Sequence, residues 1–238
     1  MLTAGHQNAA LKYYHDRNFT PNSLVSFYEK SEKLDFKDII TLVSDFLLAG
    51  IDTSANTMVY LLYELAKNPK VQEELHSVTE KETKVDEKVL NQFKFGKAVI
   101  KENFRLHPVS VGFGRITANP VILSGYQVPK GTNVVTQNQV SCRLETYCPF
   151  KPNEFLPHRY LVPREEQTLH PFLSLPFGFG PRMCVGRRFA EKSIQLLLFK
   201  LSQSFHFKLH NSDEEIDCES LLINQPEKPV KMILEIKS

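Results

Sequence analysis

The longest apolar stretch runs over residues 39–66 and predicts a single helix. Asp35 stands at its start with Asp38 three residues on as a capping-box-like partner, and Asn68-Pro69 is the stop. Some thirty residues span about 45 Å at the helical rise. Asp45, Asp52 and Glu64 interrupt the stretch at depths where a bilayer penalises charge, so it reads as a long buried helix and not as a membrane span. Before it, Asn22-Ser23 caps a short helix at 24–28. After it, residues 69–87 read as a charged helix and 90–106 as a second strong one, ended by Pro108 because proline disfavours helix in the residue before it. The texture then changes. Val121-Ile122-Leu123, Gly125-Tyr126-Gln127-Val128-Pro129 and Thr132-Asn133-Val134-Val135-Thr136 are β runs parted by Ser-Gly and Lys-Gly turns. Residues 145–183 lack periodicity and form a long loop of the kind that carries function. A helix resumes at 186–205, and the tail offers strands at 205–209 and 230–236 joined through 221–226. The pattern predicts a mainly α chain with small β-sheets.

Composition adds constraints. With 42% hydrophobic and 24% charged residues, the 238-residue chain is an ordinary folded protein. Lys and Arg number 29 against 27 Asp and Glu, a balance that gives no reason to expect nucleic acid or a generic membrane surface as partner. Four cysteines at irregular distances, behind a start without a secretory leader or an Arg-rich presequence, fit free thiols in a reducing compartment.

Chemistry concentrates in Phe177-Gly178-Phe179-Gly180-Pro181-Arg182-Met183-Cys184-Val185-Gly186. A helix start and a nearby cation both favour thiolate, the form that binds metal. Glycines let backbone approach a flat cofactor, and an axial thiolate on haem iron favours oxygen–oxygen cleavage. Cys142, Cys148 and Cys218 read as buried free cysteines; a zinc site from Cys142, Cys148 and His158 or His170 has the wrong spacing. In the long helix, Ala49-Gly50-Ile51-Asp52-Thr53-Ser54 puts a glycine, an acid and two hydroxyls where each disfavours helix. A locally opened helix there would present a carbonyl groove, a hydroxyl donor and a proton-linked acid. Glu102 and Arg105 share one helix face and can pair.

The ten-residue loop fits Phe-x-x-Gly-x-Arg-x-Cys-x-Gly at every fixed position and resembles the ligand signature of the cytochrome P450 family. The resemblance implies that fold, incomplete for want of an amino-terminal half: a partial helical region at 1–33, then at 34–238 the haem-binding carboxyl-terminal half of one domain. It implies haem b (iron protoporphyrin IX) with Cys184 as axial ligand, Phe177, Gly178 and Gly186 framing it, and Arg182 and Arg115 on its propionates. Asp52 would deliver protons and Thr53 would stabilise activated oxygen. Glu-x-x-Arg followed by Leu106-His107-Pro108 and Phe155-Leu156-Pro157-His158-Arg159-Tyr160 resembles the family's structural charge cluster, with members Glu102, Arg105 and Arg159.

Lys97 and Lys101 on one helix face, with Arg187 and Arg188, resemble the mitochondrial branch. That implies an adrenodoxin-type ferredoxin as electron donor, a monomer, and the matrix side of the inner membrane. More narrowly, the stretches 105–112, 134–138, 142–145 and 221–226 resemble arthropod ecdysteroid 22-hydroxylases. This implies a steroid substrate, molecular oxygen, and contacts from Leu48, Ala49, Val109, Val111, Phe113 and Ile223. Two outcomes are expected to compete: an active monooxygenase on this or another sterol or lipid, and a catalytically inactive, poorly soluble fragment.

Overall fold

In the computed structural model the described residues are 34–163, 166, 169–212 and 214–237. The short helix expected at 24–28 and the partial helical region at 1–33 lie outside them. The chain divides into two compact units, Met1–Ala49 and Gly50–Ser238.

Helix α1, Phe36–Lys67, begins with a reciprocal cap. The Asp35 amide donates to Asp38 Oδ2 at 3.2 Å, and the Asp38 amide donates to Asp35 Oδ1 at 2.8 Å. At the far end the side-chain Nδ2 of Asn68 donates to the Glu64 carbonyl at 2.8 Å, and Pro69 opens α2, Pro69–Thr79. Burial does not extend along the whole of α1. From Thr57 onward Met58, Tyr60, Leu61, Tyr63 and Leu65 are buried, whereas Leu47, Leu48 and Ile51 are each more than 60% exposed or at that level. No helix among the described residues is long and apolar enough to cross a membrane.

The charged helix expected over 69–87 stops at Thr79. Gln203 reaches across and donates to the Thr79 and Glu82 carbonyls at 2.8 and 2.6 Å, satisfying groups that further helix would have used. The helix expected over 90–106 is two helices, α3 (Glu87–Gln92) and α4 (Lys94–Leu106), parted at Phe93. Tertiary packing overrides propensity there: Phe93 is 2% exposed and its ring meets Phe199 edge-on at 4.9 Å. The same ring lies over Gly96, where a Cβ would sit 2.0 Å from Phe93 Cε1. Gly96→Ala is therefore expected to destabilise the fold by about 1–3 kcal/mol through overpacking, read as a lower chemical-denaturation midpoint.

Among the described residues four two-stranded antiparallel sheets follow. Strand β1 (Phe113–Ile116) pairs with β4 (Asn133–Thr136), setting Arg115 opposite Val134, and β2 (Val121–Leu123) pairs with β3 (Tyr126–Val128). The β2–β3 turn is closed by Ser124 and Gly125 at φ 50° and 86°, the left-handed values that a tight hairpin requires. A short helix α5 (Asn138–Ser141) follows, then helix α6 (Arg187–Ser204). Strand β5 (Phe205–Leu209) pairs with β8 (Met232–Ile236), and β6 (Cys218–Ser220) with β7 (Asn224–Pro226). The expected 145–183 loop is irregular apart from single turns such as Pro157–Tyr160 and Gly180–Arg182.

The core lies between α1, α2, α4, α6 and β5, filled by Leu61, Leu65, Leu75, Phe93, Val99, Phe104, Leu198, Phe199 and Phe207. Gln72, 5% exposed, joins three elements: its amide donates to the Leu65 and Phe207 carbonyls at 3.1 and 3.0 Å and accepts from the Phe207 amide at 2.8 Å. Glu64 and His107 form a nearly dry pair, Oε1 to Nε2 2.6 Å, with the imidazole stacked on Tyr60 at 4.4 Å.

Candidate functional site

The Cys184 loop is a closed structure. The Cys184 amide donates to the Phe177 carbonyl at 2.8 Å, and the Met183 amide to the Gly180 carbonyl at 3.0 Å. Gly178 and Gly180 have φ of 74° and 77°, where a side chain would be strained. A Cβ on Gly178 would also come within 3.3 Å of the Phe113 ring and 3.7 Å of the Met183 Cα. Phe177 anchors the loop by an edge-on contact with Phe104 at 5.3 Å. Cys184 is exposed, two residues before the Gly186 cap of α6, while Cys142 and Cys148 are fully buried and Cys218 is half-buried. Cys218 thus departs from the buried setting expected of it. All four are free thiols.

These residues suit a flat, anionic, metal-bearing cofactor. Cys184 is exposed where α6 begins, at the partially positive end of the helix. Val185 and Phe189, 81% and 80% exposed, flank it with apolar surface. Arg115 donates to the Phe179 carbonyl at 3.4 Å, which brings the β1 cation to the ligand loop, and among the described residues neither Arg115 nor Arg182 is paired with a carboxylate. Two guanidinium groups awaiting anions match a pair of propionates. Among the described residues no group of three His, Cys, Asp or Glu side chains could hold a bare metal ion.

Helix α1 is not opened at Gly50, as the sequence had suggested; it stays helical through Asp52 and Thr53. Side-chain donors act there in its place. Asn56 donates to the Asp52 carbonyl at 3.0 Å and Thr57 to the Thr53 carbonyl at 2.8 Å. Asp52 is exposed and Thr53 half-buried.

Glu102, Arg105 and Arg159 meet in the interior. Arg105 grips Glu102 with Nε and Nη2, both at 2.9 Å, and Arg159 Nε donates to Glu102 Oε1 at 3.0 Å. Glu102 and Arg105 are 0% exposed. Backbone completes the set: Glu102 Oε1 accepts from the Leu156 amide at 2.9 Å, and Arg105 donates to the carbonyls of Cys142, Pro152 and Glu154 at 2.9, 2.6 and 3.1 Å. Burial pulls the Arg105 guanidinium down, but the hydrogen bonds and charge of Glu102 outweigh it and the net shift is upward. The cluster therefore fixes residues 142–156 directly. Its tie to the Cys184 loop runs through Phe104 and Phe177.

The Cytochrome P450 family model matches residues 5–234. The chain belongs to the cytochrome P450 family. It is 42% identical over 222 residues to cytochrome P450 302a1, mitochondrial, of Drosophila melanogaster, which covers 91% of this chain and 45% of that protein. It is 36% identical over 209 residues to probable cytochrome P450 12d1 proximal, mitochondrial, of the same species, covering 84% and 40%. To sterol 26-hydroxylase, mitochondrial, of Mus musculus it is 37% identical over 214 residues, covering 87% and 40%. The chain thus spans less than half the length of these curated relatives.

Within this P450 chain a cavity of about 590 Å³ opens beside the Cys184 loop, lined by Lys97, Lys101, Phe177, Arg187 and Lys192 among others. Burial first, then the charges of Lys192 and Lys101, hold the Lys97 ammonium below its ordinary value. Lys101 sits over the Tyr160 ring at 5.6 Å, and Arg187 pairs with Glu191 at 3.1 Å. Arg188 is exposed outside that lining. Lys192 was missed in the sequence, although it lies one helical turn beyond Arg188.

Of the residues expected to meet substrate, Val109 is buried, Val111, Phe113 and Ile223 are half-buried, and Leu48 and Ala49 are exposed. Asn224 brings two of these segments together: its backbone amide donates to the Val109 carbonyl at 2.8 Å and its side chain to the Pro108 carbonyl at 2.6 Å.

Proposed function

We propose that this chain is the haem-bearing part of a mitochondrial monooxygenase that hydroxylates a steroid, most specifically an ecdysteroid at carbon 22, with electrons from an adrenodoxin-type ferredoxin. The outward-facing Cys184 thiol in its glycine-closed loop at the start of α6 carries the reading. Support for the compartment and substrate class comes from relatives named as mitochondrial and, in one case, as a sterol hydroxylase.

Bound haem b supplies the iron centre at which molecular oxygen is activated with two electrons. Cys184 would hold it as thiolate, Arg115 and Arg182 would neutralise its propionates, and Phe177, Gly178 and Gly186 would frame it. Asp52 would pass protons inward from solvent, and the Thr53 hydroxyl would donate toward the bound oxygen. One oxygen atom enters a carbon–hydrogen bond and the other leaves as water, consuming two protons and two electrons. Val109, Val111, Phe113 and Ile223 supply apolar contacts of the kind a sterol needs; Leu48 and Ala49 are further candidate contacts by resemblance alone.

The test is a difference spectrum of the dithionite-reduced protein with and without carbon monoxide, followed by mass analysis of products from ecdysteroid and cholesterol-type substrates. A strongly red-shifted Soret band together with a 22-hydroxylated product is expected. Absence of the band would favour the inactive-fragment reading; a band with product only from another sterol would correct the substrate.

The basic cavity makes a separate prediction. Charge reversal at Lys97 or Lys101 is expected to raise the ferredoxin concentration for half-maximal reduction roughly tenfold at low salt and much less near 0.3 M salt, as screening removes a steering term. Stopped-flow haem reduction across a salt series reads it.

A further inference from the structure

We infer that Asn103 and Thr57 are positioning residues for Thr53, forming a dry hydrogen-bond line that sets the α1 backbone one turn beyond the proposed oxygen site. The inference rests on the role given above to Asp52 and Thr53. Asn103 Nδ2 donates to the Thr57 carbonyl at 3.1 Å, and Thr57 Oγ1 donates to the Thr53 carbonyl at 2.8 Å. Asn56 adds a bond to the Asp52 carbonyl at 3.0 Å. Three carbonyls of one helical stretch, those of 52, 53 and 57, thus receive side-chain donors beside their helical role. Such back-bonding competes with the helical ladder, and α1 stays helical across it.

The setting makes the line persistent. Thr57 is 3% exposed and Asn103 0%, so water has little access to replace either bond. Asn103 Oδ1 has no donor among the described residues. An amide kept in the interior with its acceptor unsatisfied is poorly chosen for packing, since leucine has similar size and no polar atom to bury. Its use lies in the donor half, which grips α1. The other side of α4 is held by the adjacent Glu102 in the charge cluster, so Asn103 transmits a fixed reference position to Thr53 through Thr57.

The experiment compares wild type, Asn103→Leu, Thr57→Val and the double variant in the haem-loaded protein. Amide hydrogen exchange over residues 53–61 is expected to quicken about five- to tenfold in each single variant, the equivalent of one hydrogen bond, with exchange in α2 and β5 unchanged. The double variant is expected to add little to either single one, because both break the same line. In turnover, a larger share of the electrons supplied with molecular oxygen is expected to leave as hydrogen peroxide, formed from oxygen, two electrons and two protons, with less hydroxylated product. Unchanged exchange at 53–61, or quickening spread evenly over the chain, would overturn the inference, the second because it marks a general loss of fold. So would an unaltered division of electrons between product and peroxide. A wild type lacking the red-shifted band would instead fail the oxygen-activation reading, while the exchange measurement still decides whether the line positions α1.

Discussion

Replacing Cys184 by alanine is expected to abolish the red-shifted carbon monoxide band completely while leaving secondary structure, read by circular dichroism, intact. The side chain is exposed and makes no packing contact that the fold depends on, and the loop is held by backbone bonds from the Cys184 and Met183 amides that alanine retains. No other thiol can take over. Cys142 is buried among Arg105 and Leu173, its thiol donates to the Leu173 carbonyl at 2.9 Å, and burial pushes its pKa up to about 11, so it stays protonated at neutral pH. Cys148 is equally buried, and Cys218 belongs to β6, away from the ligand loop in sequence. A band that survives in Cys184→Ala would mean that another group ligates the iron and would overturn the assignment.

Glu102→Ala is expected to cost about 3–5 kcal/mol and to lower the melting temperature by roughly 6–20 °C, because it leaves buried charge without its partner. Arg105 and Arg159 would face one another across the vacated site, held by carbonyl oxygens and, for Arg159, the Cys148 sulfur, and the Leu156 amide would lose its acceptor. Glu102→Gln keeps one acceptor oxygen and the side-chain volume, so a smaller loss is expected from it. Thermal unfolding followed by circular dichroism separates the two; equal stability of Glu102→Ala and wild type would show that the cluster is not a structural centre.

Local rules were enough for some parts of this molecule and not for others. The Asp35–Asp38 cap, the Asn68-Pro69 stop and strand Phe205–Leu209 follow from residues within a few positions of each other, and the structure has them where the sequence put them. Mainly α architecture with small sheets followed from the same periodicities. The break at Phe93 did not, since it depends on Phe199, more than a hundred residues away, drawing the ring inward. Helix α5 and the β6–β7 hairpin are three or four residues each, too short to show a period. The burial expected for all of α1 fails at Ile51 because apolar composition alone does not say which turns have neighbours. At the candidate site the charged members Glu102, Arg105 and Arg159 were legible as residue types at fixed spacing. The carbonyls that complete the cluster, from Cys142, Pro152 and Glu154, carry no side-chain signal and become visible only in three dimensions.

Gln72 bears on the order in which the chain acquires its structure during synthesis. Its amide serves the end of α1 and the edge of β5 at once, and its partner Phe207 lies 135 residues downstream. Until that strand has left the ribosome, a glutamine destined for the interior has no satisfied place there, and the corner between α1 and α2 stays provisional. Pairings of such long sequence separation come late and slowly. A nascent chain stalled anywhere before β5 would therefore hold helices without a finished core, which makes the arrival of Phe207 the step that completes this corner.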